Sequence, residues 1–162
     1  MIEIRKAKLK DTERIVELQI QMAQETEALK LDKNVVSKGV RGVFEEPARG
    51  TYWVAEEKGK VLGMLLAIPE WSDWRNATVL WIHSLYVIPE ARGQGVFKKL
   101  YMNLKKQVQK SPRLTGIRLY VDKRNKPAQK IYERLGMNKH HYELYEWLKP
   151  APKAGEQQKQ KG

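Results

Sequence analysis

The order of strands and helices in this 162-residue chain predicts an α/β (α+β) fold, a mixed twisted sheet with helices on both faces. Three adjoining observations carry that expectation. The apolar run Val79-Leu80-Trp81-Ile82-His83-Ser84-Leu85-Tyr86-Val87-Ile88 reads as a strand and stops at Pro89, which cannot donate to a sheet ladder. A glycine-rich turn, Arg92-Gly93-Gln94-Gly95-Val96, follows it. Val96, Leu100, Leu104 and Val108 then recur at four-residue steps, with Phe97 and Tyr101 beside them, as the apolar face of a helix.

The other elements follow in chain order. Ile2–Lys6 reads as a short strand, and Asp11 suits the N-cap of a helix whose inner face is Ile15, Leu18 and Met22. A second helical stretch runs near Asn34–Glu46. Thr51–Glu57 and Lys60–Ile68 read as strands joined by a tight turn at Lys58-Gly59. The polar, aromatic stretch Glu70-Trp71-Ser72-Asp73-Trp74-Arg75-Asn76 reads as a loop leading into the long strand. Past the glycine turn and its helix, Gly116–Val121 alternates apolar and polar residues as a strand does. Asn125 is a suitable N-cap, with Pro127 tolerated in the first turn, and Gly136 ends that helix in the C′ position. Ala128, Ile131 and Leu135 share one face of it, with Tyr132 one helical step past Ala128. A last strand is expected at about Lys139–Leu148. Residues 150–162, rich in Lys, Gln, Pro and Gly, are expected to be a disordered basic tail, which leaves 1–149 as a single domain.

Composition narrows the function. Hydrophobic residues make up 41% of the chain, enough for a real core. There is no cysteine, which excludes disulfides, thiolate metal sites and a cysteine acyl-enzyme, and no metal site is expected. Met1–Lys6 alternates charge with apolar residues, unlike a signal peptide. The longest apolar run, Val61–Ile68, is broken by Pro69 and is too short to span a bilayer. A soluble, cytoplasmic protein with no membrane partner is expected. The net charge is +12, with lysine and arginine spread along the chain and no aromatic-interleaved RNA motif. Steering of an anionic cofactor, or plain solvation, is therefore expected rather than nucleic-acid recognition.

The glycine turn suggests what that anion is. Two glycines between strand and helix leave backbone N–H groups uncovered, and the positive end of the helix dipole favours a phosphate there. Arg92 adds charge and two-point hydrogen bonding. Turn geometry alone would also account for the glycines. The third glycine of a dinucleotide fold and the Gly-Lys-Ser/Thr of a Walker loop are both absent.

With the second helix motif added, the chain resembles the GNAT superfamily of N-acetyltransferases, which move an acetyl group from acetyl-coenzyme A to an amine. Arg92-Gly93-Gln94-Gly95-Val96-Phe97 is similar to the superfamily's coenzyme motif (Arg or Gln, two residues, Gly, one residue, Gly or Ala), with Phe97 in the last place. Asn125-Lys126-Pro127-Ala128-Gln129-Lys130-Ile131-Tyr132-Glu133-Arg134-Leu135-Gly136-Met137 resembles the later motif, Asn, two residues, Ala, three residues, Tyr, then Leu-Gly-Phe, with Met137 for the Phe. The resemblance covers roughly residues 2–148. It implies a mostly antiparallel sheet with a splayed central strand pair, and acetyl-coenzyme A as acetyl donor. It further implies direct transfer, through a ternary complex, to a primary amine of a small molecule or protein, and it leaves room for a homodimer.

Acetyl transfer needs removal of a proton from the amine, donors for the oxyanion, and stabilisation or protonation of the departing thiolate. The resemblance implies coenzyme contacts from Leu85, Tyr86 and Val87 through their backbone. It adds Arg92, Gly93, Gln94, Gly95, Val96, Phe97 and Lys98, and from the later motif Asn125, Ala128 and Tyr132. Tyr132 matches the residue that protonates the coenzyme sulfur, or it packs on the sheet. His83 stands where polyamine-acetylating relatives carry a glutamate base, and histidine titrates near neutrality. A half-buried histidine satisfied by backbone, and deprotonation by water alone, stay open. For the acceptor side the resemblance implies Met22, Glu25, Trp71, Asp73, Trp74 and Tyr142. Trp71 and Trp74 about Asp73 could hold a cationic amine, or simply pin the loop. The competing class is a degenerate member that binds coenzyme A or RNA without catalysis.

Overall fold

Alternation of side chains along the strands decides where the core lies. The computed structural model describes residues 1–150, so the expected tail falls, from residue 151 on, outside the described residues. Met1–Tyr120 and the chain from Val121 onward are two compact units.

Five strands build one sheet in the first unit: β1 (Glu3–Lys6), β2 (Thr51–Glu57), β3 (Lys60–Ser72), β4 (Ala77–Val87) and β5 (Leu114–Leu119). Neighbours run antiparallel from β1 to β4, and β5 pairs parallel with β4. The sheet is thus mixed and mostly antiparallel, as the resemblance implied. Lys58 and Gly59 both adopt positive φ in the β2–β3 turn, the two-residue geometry that matches strand twist. A parallel pair needs a crossover, and α3 (Val96–Lys110) supplies it. The helices α1 (Thr12–Glu27) and α2 (Lys33–Glu45) lie between β1 and β2 in the chain, and Asp32 caps α2 by accepting the Asn34 N–H at 2.7 Å.

Ile15, Val16 and Leu18 of α1 and Val40 of α2 bury against Tyr52, Val54, Met64, Leu66 and Tyr86 of the sheet. Leu65, between Met64 and Leu66, points to the opposite face. There α3 buries Val96, Leu100, Tyr101 and Leu104. Full burial of Leu100 and Leu104 contributes ~1.5–3 kcal/mol each. A Cβ on Gly63 of β3 would stand 2.8 Å from the Tyr86 carbonyl oxygen and 3.3 Å from Val96 Cγ1. Only glycine lets the first residue of α3 settle on β3. Among the described residues no helix is long and apolar enough to cross a membrane.

Three expectations change in this unit. Asp11 does not cap α1 through its side chain. Its carboxylate accepts the Lys8 N–H at 2.7 Å and both arms of the Arg5 guanidinium at 2.8 and 2.9 Å, a charge-assisted fork stronger than a helix cap. Arg5 Nε also donates to Glu56 at 2.9 Å, so one cation joins β1, β2 and the start of α1. The stretch expected as a loop over Glu70–Asn76 is mostly hairpin, with Glu70, Trp71 and Ser72 paired to Val79, Thr78 and Ala77. Pro69 is tolerated because it lies past the end of β2, where one side of β3 has no ladder partner. The strand expected at Gly116–Val121 begins two residues earlier and ends at Leu119.

In the second unit Asn125 Oδ1 accepts the Ala128 N–H at 3.1 Å and starts α4 (Lys126–Arg134), and Gly136 follows its end at φ +85°. The covered side runs through Ala128, Gln129, Tyr132 and Leu135, while Ile131 is exposed. The Gln129 amide sets this side by donating to the carbonyls of Asp122 and Lys123 at 3.1 and 3.0 Å. Residues 139–148 form no strand. Tyr142, Leu144, Tyr145, Trp147 and Leu148 are exposed. Their alternation supplies a face, but a ladder needs a partner strand, and this unit has none among the described residues.

The Asp11 carboxyl is held below the usual carboxylate range, first by Arg5, against the opposing effect of burial. A lowered folded pKa means that the pair stabilises the fold above the unfolded value and that this contribution disappears as pH falls through the folded one. Asp11→Asn should cost about 1–3 kcal/mol at neutral pH, since Arg5 keeps Glu56 as a partner. It should also flatten the loss of stability on the acid side, which urea melts from about pH 7 to pH 2 would show.

Candidate active site

The loop between β4 and α3 takes its shape from two glycines. Pro89–Ala91 forms a short 3-10 turn after β4, and Gly93 and Gly95 then adopt φ of +77° and +76°. Side-chain-bearing residues resist that region. A Cβ on either glycine would meet nothing within 4 Å, so the loop borders open space. Among the described residues, Gly93, Gln94, Gly95 and Val96 donate to no backbone carbonyl. Lys98 stands in the first turn of α3, which carries no acidic residue, while Lys99 beside it donates to the Ile2 carbonyl at 3.1 Å. Uncovered amides at a helix N-terminus, with a lysine in its first turn, are the donor set that a diphosphate requires, and the residues fit one.

On the other side of the loop, β4 is paired unequally. Leu85, Tyr86 and Val87 pair with Leu65, Met64 and Gly63 of β3. The ladder to β5 ends at Ile82 with Leu119. Among the described residues, His83 to Val87 therefore have no second strand beside them. Leu66 pairs with Ser84 and Ala67 with Ile82, which leaves His83 as the extra residue of a bulge, and its side chain is exposed. Ser84 beside it is buried, and its hydroxyl accepts from Gln19 Nε2, which also donates to the Tyr52 hydroxyl at 3.1 Å.

Residues expected in different roles meet at Glu25. Its carboxylate accepts Arg92 Nη2 at 2.7 Å and the Tyr86 hydroxyl at 2.8 Å. Arg92 Nε donates to the Val87 carbonyl at 3.0 Å, and the guanidinium lies 5.6 Å from the centre of the buried Tyr86 ring. Arg92, then Tyr86, lower the Glu25 carboxyl below its usual range. Burial, then Glu25, raise the Tyr86 phenol. The expected acceptor residue Glu25 and the expected coenzyme residue Arg92 are thus one cluster.

The other expected acceptor residues are more scattered. Met22 is half-buried against the core. Trp71 and Trp74 are 62% and 90% exposed at the end of the β3–β4 hairpin, so neither pins it by packing. Asp73 Oδ1 accepts the Trp74 backbone N–H at 2.9 Å. A neighbouring cluster was not anticipated. Trp81 Nε1 donates to Glu70 at 2.7 Å, Arg118 pairs with the same carboxylate at 3.1 Å, and Tyr120 lies 4.6 Å from the Trp81 ring. A sequence signal did exist, because Trp81 and Arg118 occupy alternating positions of strands that turn out to be neighbours.

In the second unit Asn125 uses its side chain as the helix cap, Ala128 and Tyr132 are half-buried, and Tyr142 is exposed. Burial raises the Tyr132 phenol. Arg124 holds Asp122 down to about 2.

Similarity to known proteins agrees with this geometry. Residues 9–137 match the profile of the acetyltransferase (GNAT) family, and the chain belongs to that family. It is 38% identical to a possible acetyltransferase from Clostridium difficile 630, over 93% of this chain and 99% of that one, with a TM-score of 0.88. It is 30% identical over 92 residues to N-acetyltransferase family 8 member 2 of Rattus norvegicus, a match covering 57% of this chain and 40% of the rat protein. The chain therefore spans well under half of that relative. The fold is shared with AAC(6')-Iy, solved in complex with the bisubstrate analogue CoA-S-monomethyl-acetylneamine, at 14% identity and a TM-score of 0.75, over 93% of this chain and 99% of that one.

Gly95 offers a direct test of the loop. Gly95→Ala places a methyl group at φ +76° facing the open space, at a strain cost of roughly 1–2 kcal/mol. Coenzyme A affinity, measured by calorimetry, should fall by tenfold or more (roughly, by the same free-energy scale) while the protein stays folded. Unchanged affinity would remove the loop from the site.

Proposed function

We propose that this protein is an N-acetyltransferase that moves the acetyl group of acetyl-coenzyme A directly to a primary amine, of a small molecule or a protein, with both substrates bound together. The observation that carries this reading is the open loop at Gly93 and Gly95, set between the one-sided end of β4 and the start of α3. In this reading, the amides of Gly93 to Phe97, with Arg92 and Lys98, hold the pyrophosphate. The backbone of Leu85, Tyr86 and Val87 holds the pantetheine arm along an edge that, among the described residues, no strand covers. Acetyl-coenzyme A supplies the acetyl group as an activated thioester. Asn125 and Ala128 belong to the coenzyme site by the later motif.

The proton steps fall to two residues. Tyr132 keeps its proton at neutral pH, because burial raises the phenol further above its ordinary value, and this suits it to protonate the departing thiolate. His83 takes the proton of the acceptor amine, directly or through water, and its exposure on the bulge favours proton exchange with solvent. Met22, Glu25, Trp71, Asp73, Trp74 and Tyr142 form the acceptor side, where carboxylates and indoles suit a cationic amine. A chain without cysteine fits a cytoplasmic setting.

An amine library screened for release of the free coenzyme A thiol tests the reading, and turnover of at least one primary amine is expected. With that amine, Tyr132→Phe should lower kcat on the order of 10²-fold with coenzyme A affinity unchanged. Normal turnover combined with a lower melting temperature would make Tyr132 a packing residue.

His83→Ala should lower turnover and remove an acid-side inflection from the pH–rate profile. A profile of unaltered shape at near wild-type rate would leave the proton to water.

A further inference from the structure

Glu25 is an oddly placed anion. It lies in the last turn of α1, where the helix dipole is negative, and no basic residue of that turn offsets it. Its counter-charge comes instead from Arg92, 67 residues away in sequence. The Arg92 fork is divided, with Nη2 on the Glu25 carboxylate and Nε on the Val87 carbonyl. The two side chains are 42% and 45% exposed. Arg92 also directly precedes the loop whose amides are uncovered.

We infer that Glu25 couples the two substrates, holding Arg92 until the pyrophosphate of the coenzyme takes it and then serving as the anionic seat for the ammonium group of the acceptor. The inference rests on the acetyltransferase reading above and goes beyond it. An exposed pair of this kind holds weakly, and a diphosphate carries more negative charge than one carboxylate, so it competes well for the guanidinium. Once Arg92 turns to the phosphates, Glu25 keeps the Tyr86 hydroxyl at 2.8 Å, which fixes the carboxylate beside β4. What it has lost is its cation. A carboxylate at the negative end of a helix then draws a primary ammonium, and coenzyme binding strengthens acceptor binding. By linkage the reverse also holds.

Coenzyme A itself is the probe, titrated by calorimetry at low salt into wild type, Glu25→Gln, Arg92→Ala and the double variant. Glutamine keeps an acceptor for the Tyr86 hydroxyl and removes only the charge. Glu25→Gln should tighten coenzyme A binding by roughly 2–5-fold, the value of an exposed pair, and the gain should vanish when Arg92 is absent. Propylammonium chloride, compared with sodium chloride at equal ionic strength, should strengthen coenzyme A binding to wild type and not to Glu25→Gln. The inference is overturned if Glu25→Gln binds coenzyme A no better than wild type, if its gain persists without Arg92, or if propylammonium has no effect. Failure of all four proteins to bind coenzyme A would instead remove the acetyltransferase reading, and the coupling with it.

Discussion

Val96 meets β3 over Gly63, and the positions of α3, of the glycine loop and of the end of β4 follow from that approach. A Cβ at Gly63 would collide with the Tyr86 carbonyl before it reached α3. The strand pair and the helix start would have to separate, and the loop between them would lose its anchor at both ends. Val96 is almost fully buried, as are Leu100 and Leu104 one and two helical steps on. The helix is therefore held by its apolar face, and its first turn can leave amides uncovered at modest cost in stability. The placement of the loop depends on packing one residue beyond it.

The same strand carries two opposed conditions. β4 is paired to β3 on both sides of the His83 bulge, which seats Tyr86 and Val87 against Met64 and Gly63, yet it loses β5 after Ile82. The bulge at His83 falls at that transition. An extra residue twists a strand and interrupts its ladder, so the feature that exposes the His83 imidazole lies where the edge of β4 becomes open. A backbone edge is costly to leave bare in a buried place, and open edges in native proteins commonly receive something that restores the hydrogen bonds. An extended polar chain such as pantetheine has the amides to do so.

How much of this was legible in the sequence depended on how local the cause was. The change from strand periodicity to helical periodicity across Arg92–Val96 is a local pattern, and so is the Asn125 cap. Lys58-Gly59 was equally readable, because its positive φ values belong to the turn alone. Asp11 was misread as a helix cap because the residue that claims it, Arg5, is brought there by strand pairing. The hairpin at Glu70–Ser72 looked like a loop for the same reason, since Pro69 is acceptable only because β2 has already ended. Ile131 looked inward by spacing, but the hydrogen bonds of Gln129 turn the helix a different way. Nothing in the sequence linked Glu25 to Arg92. Glu25 lies near the end of α1 and Arg92 precedes the glycine loop, and the link between them is a tertiary fact.

The distribution of indole rings has an optical consequence. The chain has five tryptophans. Trp71, Trp74 and Trp147 are exposed, Trp53 and Trp81 are half-buried, and none lies in the core, which is built from aliphatic side chains and from Tyr52, Tyr86 and Tyr101. Indole emission moves to longer wavelength as the ring meets water, so the three exposed rings belong to the solvated end of that range in the native protein. Loss of the core changes the surroundings of the three exposed rings little. What their emission follows instead is the tip of the β3–β4 hairpin and, through Trp81, the ion pair of Glu70 with Arg118. The intrinsic fluorescence of this protein is thus weighted toward its open surface rather than toward its core.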